Sequence, residues 1–237
     1  METSMPQQNA NASVKNVVDI HTGKTWSEAS SQRFIRLSPE IDGLEMLYTN
    51  ELHPEKLFSV KILCWGLRAN GDIVGLSPWL DTIQACPDID DPLHGTWQGY
   101  YDPGIEEVFF EAPEHKAMEL DGAAEYYQYD CRTENDVIQE IPDVIGTHAV
   151  LSDDGFSSIT LSEVVSWELL HSGQIIAMLI NEDKVTSTPV LPGDECLYPA
   201  HKNSAFQYFF QHNIANKLKK KDPEAIAAIA LLMDKDI

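Results

Sequence analysis

Three places in this 237-residue chain gather side chains that could do chemistry. The first is the stretch TPVLPGDECLYPAHKNSAFQYFF (Thr188–Phe210), where the thiol of Cys196 and the imidazole of His201 follow a Pro-Gly-Asp turn. Together with His148 they are the residues around which a small-molecule enzyme or a ligand-binding barrel would build a pocket, because neutral imidazole is a common metal ligand and proton carrier. The second is HGTWQGYYDPG (His94–Gly104), where Trp97, Tyr100 and Tyr101 set amphipathic rings among glycines and acids. That composition suits a recognition loop; the bland alternative is that the rings plug the mouth of a sheet and join the core. The third is PDIDDP (Pro87–Pro92), a group of oxygen ligands. Proline at both ends, with no turn glycine and no closing glutamate, makes it a solvated turn rather than a calcium loop.

Other catalytic signatures fail at the residue level. The chain has no G-x-G-x-x-G and no P-loop, so the usual phosphate cradles are missing. GLSPW (Gly75–Trp79) departs from a nucleophile elbow at its fifth position, which is Trp79 rather than glycine. HPE (His53–Glu55) matches half of a zinc deaminase signature, and no P-C-x-x-C follows it. Isolated histidines such as His148, His171, His201 and His212 also read as surface or hydrogen-bonded structural residues. The sequence therefore predicts no cofactor and no stoichiometric metal.

The segment PGDECLYPAHKN resembles the second conserved motif of cupins, in which Gly-Asp turns into a strand that ends at proline. The chain departs from that motif where a glycine and a metal-binding histidine belong: it has His201 and Ser204 there, and it has no His-x-His. The resemblance implies a metal-free β-barrel of related shape at most.

Lys plus Arg number 16 against 38 Asp plus Glu, a formal net charge of −22 at pH 7. Phosphate backbones and anionic membrane surfaces recruit clustered Lys and Arg, so both are disfavoured as partners. A surface this acidic is either simply well solvated, a docking face for a basic partner, or a nucleic-acid mimic. Cys64, Cys86, Cys131 and Cys196 lie far apart with no C-x-x-C, the pattern of reduced thiols in a cytoplasmic protein. METSMPQQNANASVKN lacks the basic-then-apolar order of a signal peptide, and no run approaches the ~18 apolar residues of a membrane span.

Residues 1–31 are polar and without apolar periodicity, which predicts a mobile tail ahead of a single domain over 32–237. The domain opens with a strand at RFIRLSP (Arg33–Pro39). LFSVKILCWGLRANGDIVGLSPWL then predicts a hairpin: Phe58–Leu67, a turn at Asn70-Gly71, and Ile73–Leu76. Proline-punctuated loops follow over Leu80–Gly122, with a strand at Val108–Phe110. Thr147–Tyr198 predicts an antiparallel meander, its turns at Asp153–Gly155, Ser172-Gly173, Asn181–Lys184 and Pro192–Asp194. Ser204 and Gln207 fit a capping box, and Phe206, Phe209, Phe210, Ile214 and Leu218 recur at helical spacing. With a second helix opening at Asp222-Pro223 and running to Met233, the expected fold is α+β: an antiparallel twisted sheet or open β-barrel with a C-terminal helical pair.

One internal comparison leaves two readings open. Trp65, Leu67, Gly71, Ile73 and Leu76 match Trp167, Leu169, Gly173, Ile175 and Met178 at one constant spacing. That is either the common grammar of hairpins or a duplication. For function, the sequence favours a non-enzymatic cytoplasmic binding or regulatory protein that docks an unknown protein partner through its acidic surface and the Trp97–Tyr101 aromatics. The alternatives are the enzyme or barrel built on His148, Cys196 and His201, and the nucleic-acid mimic.

Overall fold

The computed structural model describes residues 17–18, 25–26, 31–52, 54–121, 132–152, 158–180 and 197–211. Short runs of β-branched and aromatic residues, broken every few positions by Gly, Pro, Asn or Asp, fold into strands that are antiparallel throughout. A two-residue pair, β1 (Val17–Val18) and β2 (Thr25–Trp26), stands by itself. A four-stranded sheet follows in the order β3 (Phe34–Pro39), β6 (Cys64–Arg68), β7 (Ile73–Trp79), β8 (Thr82–Ala85). A five-stranded sheet runs β11 (Glu107–Phe109), β10 (Gly95–Asp102), β4 (Glu45–Thr49), β5 (Phe58–Lys61), with β9 (Asp90–Asp91) on β10. A six-stranded sheet runs β16 (Leu197–Pro199), β15 (Ile175–Ile180), β14 (Thr160–Leu170), β13 (Thr147–Leu151), β17 (Phe206–Gln211), with β12 (Val137–Pro142) on β14. One short helix, α1 (Glu114–Leu120), stands among the described elements.

This corrects the expected fold. No described sheet closes or curls into a barrel, and the first of the two C-terminal helices is a strand. Phe206–Gln211 pairs with β13, Ala149 opposite Phe209 and His148 opposite Phe210. Phe209 joins the Trp167 core, while Phe210 packs with Val150 in a separate cluster. A strand buried on both faces reads as a continuous aromatic run, which helical spacing also accommodates. Gln207 makes no capping box; its Nε2 donates to the Ser152 and Ala205 carbonyls at 3.0 and 3.1 Å. The expected second helix lies outside the described residues, as do most of the 1–31 tail and the turns at Asp153–Gly155, Asn181–Lys184 and Pro192–Asp194. The hairpin at Asn70-Gly71 is present, but Phe58–Leu67 is not one strand. The chain bends at Ile62-Leu63, where Ile62 N–H donates to Leu44 O and Leu63 N–H to Leu76 O, so β5 and β6 belong to different sheets.

The duplication reading gains support, because every described strand pairing within residues 137–211 has its match in the first half. Trp65 faces Gly75 and Leu67 faces Ile73, as Trp167 faces Ala177 and Leu169 faces Ile175. Pro39 lies opposite Cys64, and Pro142 opposite Ser166; both first strands then slip register at the same step, between Phe34 and Arg36 and between Val137 and Gln139. Glu45–Tyr48 pair with Phe58–Lys61 as His148–Leu151 pair with Thr160–Glu163. β10 and β17 add on the far side with one shared bulge, and Gln98 reaches Thr96 O in the way Gln207 reaches Ala205 O. Residues 34–102 and 137–211 are thus two copies of one unit, repeat 1 and repeat 2.

Each repeat is organised around a tryptophan bonded to a carboxylate. Trp65 Nε1 donates to Glu40 Oε2 at 2.6 Å, and Trp167 Nε1 to Asp143 Oδ1 at 3.0 Å. The other carboxylate oxygen accepts the backbone N–H four residues ahead, from Leu44 to Glu40 and from Thr147 to Asp143. Between them Gly43 (φ 82°) and Gly146 (φ 72°) take the left-handed conformation that folds the chain back onto the acid. An aromatic ring from the last strand meets each indole edge-on: Tyr100 at 4.9 Å and Phe209 at 5.2 Å. Residue 75 is glycine because the Tyr100 phenol lies over it: its N–H donates to the hydroxyl at 2.9 Å, and a Cβ would meet the ring at 2.7 Å. In repeat 2 the ring is Phe209, with no hydroxyl, and the residue beneath is Ala177.

The repeats stack in series rather than face to face. Repeat 1 encloses its own core around Trp65, Met46, Ile62, Leu67 and Tyr100. The core of repeat 2, around Trp167, Leu169, Ala149 and Phe209, is completed by the reverse side of the repeat 1 sheet: Leu37, Cys64, Val74, Leu76 and Ala85. β3 lies against β12 and β14, and Gln139 clamps the Leu37 backbone through N–H···Oε1 and Nε2–H···O bonds of 2.8 and 2.7 Å. α1 holds the corresponding place on repeat 1, against β3 and β6, and so closes the stack at that end. On the reverse side of repeat 2, the counterparts of Leu37 and Gly66 are Glu140 and Glu168, directly opposite each other. Burial, and then Glu140, push the Glu168 carboxyl above its ordinary value. On the same side Ile176 and Met178, the counterparts of Val74 and Leu76, are buried in a cluster with Leu170 and Leu197.

Two outcomes follow from this frame. Trp167→Phe removes the indole donor from the half-buried Asp143 carboxylate and should lower stability by about 1–3 kcal/mol in urea titrations. Gly75→Ala alone should cost about 1–3 kcal/mol, and less when combined with Tyr100→Phe, because the ring freed of its hydroxyl bond can shift as Phe209 does. A double-mutant cycle showing strict additivity would refute the equivalence.

Candidate functional site

The described site residues expected from sequence lie on β10, on β13 and in the turn after β16. Trp97, Tyr100 and Tyr101 sit on β10, a strand rather than a loop. Tyr100 is fully buried, touching both Trp65 and Trp97, and its phenol is pushed far up by burial. Trp97 packs against the same core and against Phe110 at 5.8 Å. Tyr101 points the other way, half-exposed, opposite Glu45 and Val108. His148 is on β13, its Nδ1 3.2 Å from Gly146 O, and His201 is exposed in a 3₁₀ turn after β16. Cys196 lies outside the described residues. The two described thiols, Cys64 and Cys86, are fully buried, and burial pushes both well above the range where thiolate forms. Among the described residues no three His, Cys, Asp or Glu side chains group to hold a metal, and no helix is long and apolar enough to cross a membrane.

The structure instead presents a groove of about 780 Å³ beside repeat 1. The β3–β4 turn contributes Asp42 and Leu44, the end of β10 contributes Asp102, and β11 contributes Glu107 and Phe109 on one face. The link to α1 adds Phe110, Glu111 and Pro113, and α1 adds His115. Between β10 and β11 the chain turns through Asp102–Glu106: Gly104 N–H donates to Asp102 Oδ1 at 2.7 Å, and Glu106 is left-handed with φ 58°. That conformation is uncommon for a side chain other than glycine, Asn or Asp.

The walls are held from within. Lys116 is only 3% exposed; its Nζ donates to Pro39 O at 2.9 Å and to Ser38 Oγ at 3.4 Å. Ser38 Oγ in turn donates to Glu119 Oε2 at 2.8 Å, and Leu120 enters the Trp65 core. His115 Nε2 meets Asp42 Oδ2 at 2.9 Å across the groove. The lining is apolar and acidic together: Phe110, 63% exposed, shares it with Asp102, Glu107 and Glu111.

The repeats show which of these residues the fold requires. In the register of repeat 2, Asp42 corresponds to Ile145, Leu44 to Thr147 and Asp102 to Gln211. The same backbone is built with neutral residues there, so the groove carboxylates at 42 and 102 are not structural necessities. For Glu107, Phe109, Phe110 and Glu111 the signal in the sequence is GIEEVFFEAPE (Gly104–Glu114), which sets acids on both sides of two phenylalanines. Asp42, Leu44 and His115 carry no local signal, because only the packing of α1 on β3 brings them to the groove. No protein-family model, no curated protein and no solved structure matches this chain.

Phe110→Ala should change stability by no more than about 0.5 kcal/mol, whereas Tyr100→Ala should cost about 3–5 kcal/mol. Thermal or chemical denaturation separates the two, and a Phe110→Ala loss as large as that of Tyr100→Ala would place Phe110 in the core.

Proposed function

We propose that this protein is a non-enzymatic binding protein that docks a protein partner in the groove between the β3–β4 turn, β11 and α1. The observation that carries this reading is the exposed Phe110 in a rim of carboxylates, two of which the equivalent repeat replaces with neutral residues. Exposed aromatics ringed by polar residues are typical of interaction surfaces, whereas an isolated solvated acid has no need of an apolar floor. An excess of carboxylates also raises the encounter rate with a basic partner and suppresses wrong ones.

A photo-reactive phenylalanine analogue at Phe110 tests it in native cells or lysate. The expected result is a discrete cross-linked product that is absent when the probe sits at Leu52, an exposed position outside the groove. Glu107→Lys with Glu111→Lys should abolish the product without changing the melting temperature. Equal capture from Leu52, or capture that survives the charge reversal, would refute the groove as the docking site.

A further inference from the structure

The groove borders a sheet edge, and that edge suggests how a partner lies in it. β11 is the last strand of its sheet: it pairs with β10, and among the described residues no strand pairs with its other side. Its residues are Glu107, Val108 and Phe109, a three-residue edge without proline whose charge is acidic. An edge strand offers unpaired backbone groups to another chain, and acidic guarding repels an acidic strand while leaving a basic one admissible. Here the neighbouring apolar side chains, Ile105, Val108 and Phe110, are all exposed.

Resting on the docking reading above, we infer that the partner engages as an added strand along β11, through an extended segment with basic residues at alternate positions. Side chains alternate between faces of a strand, so every second residue of an added strand falls on the groove side. On that side it meets Glu107, Asp102 and Glu111 around Phe109. Cationic side chains with long aliphatic stems satisfy both demands: the stem covers the ring and the head pairs with the carboxylates. The charge also argues against a second copy of this chain as occupant. Two chains of formal charge −22 each would bring Glu106, Glu107 and Glu111 of both copies to one ladder, and like charges directly opposite are destabilising.

The probe is a capped, fluorescent peptide of alternating lysine and valine, added to the full chain at low salt. Controls are the same peptide with alternate backbone nitrogens methylated, and an alternating glutamate–valine peptide. The expected result is binding of the lysine peptide with slowed amide exchange confined to residues 106–110 and their β10 partners. Binding should weaken about tenfold with Glu107→Lys. The N-methylated and glutamate peptides should not bind. Methylation leaves every charge in place, so retained binding would mean unspecific electrostatic attraction and would overturn the inference. Unchanged exchange at 106–110, or no binding of the lysine peptide, would overturn it too. The cross-linking result at Phe110 stands independently, so a partner captured there without lysine-peptide binding would reject the strand mode alone.

Discussion

The indole–carboxylate bond at the centre of each repeat is the constraint from which the rest follows. A tryptophan buried in a sheet must find an acceptor for its N–H, and a carboxylate taken from water must find donors for both oxygens. Glu40 and Asp143 meet these needs at once: one oxygen takes the indole, and the other takes a backbone N–H beyond a left-handed glycine. That arrangement ties the end of the first strand to the start of the second and sets the bend that sends neighbouring strands into different sheets. Hydrogen bonds to both oxygens meet the demand for donors at each acid.

Stacking in series makes the two ends of the molecule unlike. Repeat 2 rests on the reverse side of the repeat 1 sheet, and among the described residues α1 stands in the corresponding place on repeat 1. Ending a stack requires a polar outer surface over an apolar contact, and α1 supplies both, with Leu120 inward and Glu114, His115 and Glu119 outward. The groove is therefore a by-product of ending the stack: the arm that carries the chain from β10 to α1 leaves an edge strand and an apolar floor in the open. Asp42 and Asp102 have neutral counterparts in repeat 2, so the repeated backbone does not require them; here they bond to His115 and to the Gly104 N–H.

The reading of function shifts accordingly. The aromatics of β10 were the natural candidates because large rings among glycines look like a recognition surface. The glycines have another cause: Gly75 yields to the Tyr100 ring, and Gly95 faces Trp79 and Tyr48 so closely that a Cβ would lie 2.7 Å from the Trp79 ring. Tyr100 and Trp97 are thus chiefly core, and the exposed ring is Phe110, eight residues or more along a chain that has already turned a corner. His148 lies on β13 of repeat 2, and His201 is exposed in the turn after β16.

By itself the sequence determined the local grammar: the hairpin turns at Gly71 and Gly173, the antiparallel strands around them, the acidic balance, and the five matched positions that hinted at duplication. These depend on short-range preferences of glycine, proline and β-branched residues, which act wherever the residues are placed. Only the tertiary structure decided that Phe206–Gln211 is a strand, since its aromatic spacing suits helix and doubly buried strand alike until β13 offers a ladder. It also extended the duplication from five residues to all the described strand pairings of repeat 2, because the divergent positions, Leu37 against Glu140 or Gly75 against Ala177, match in register and not in residue type. The groove was least legible of all: Asp42 and His115 lie 2.9 Å apart yet 73 positions apart in sequence. A contact of that separation is set by the packing of a helix on a sheet, and no short-range preference encodes it.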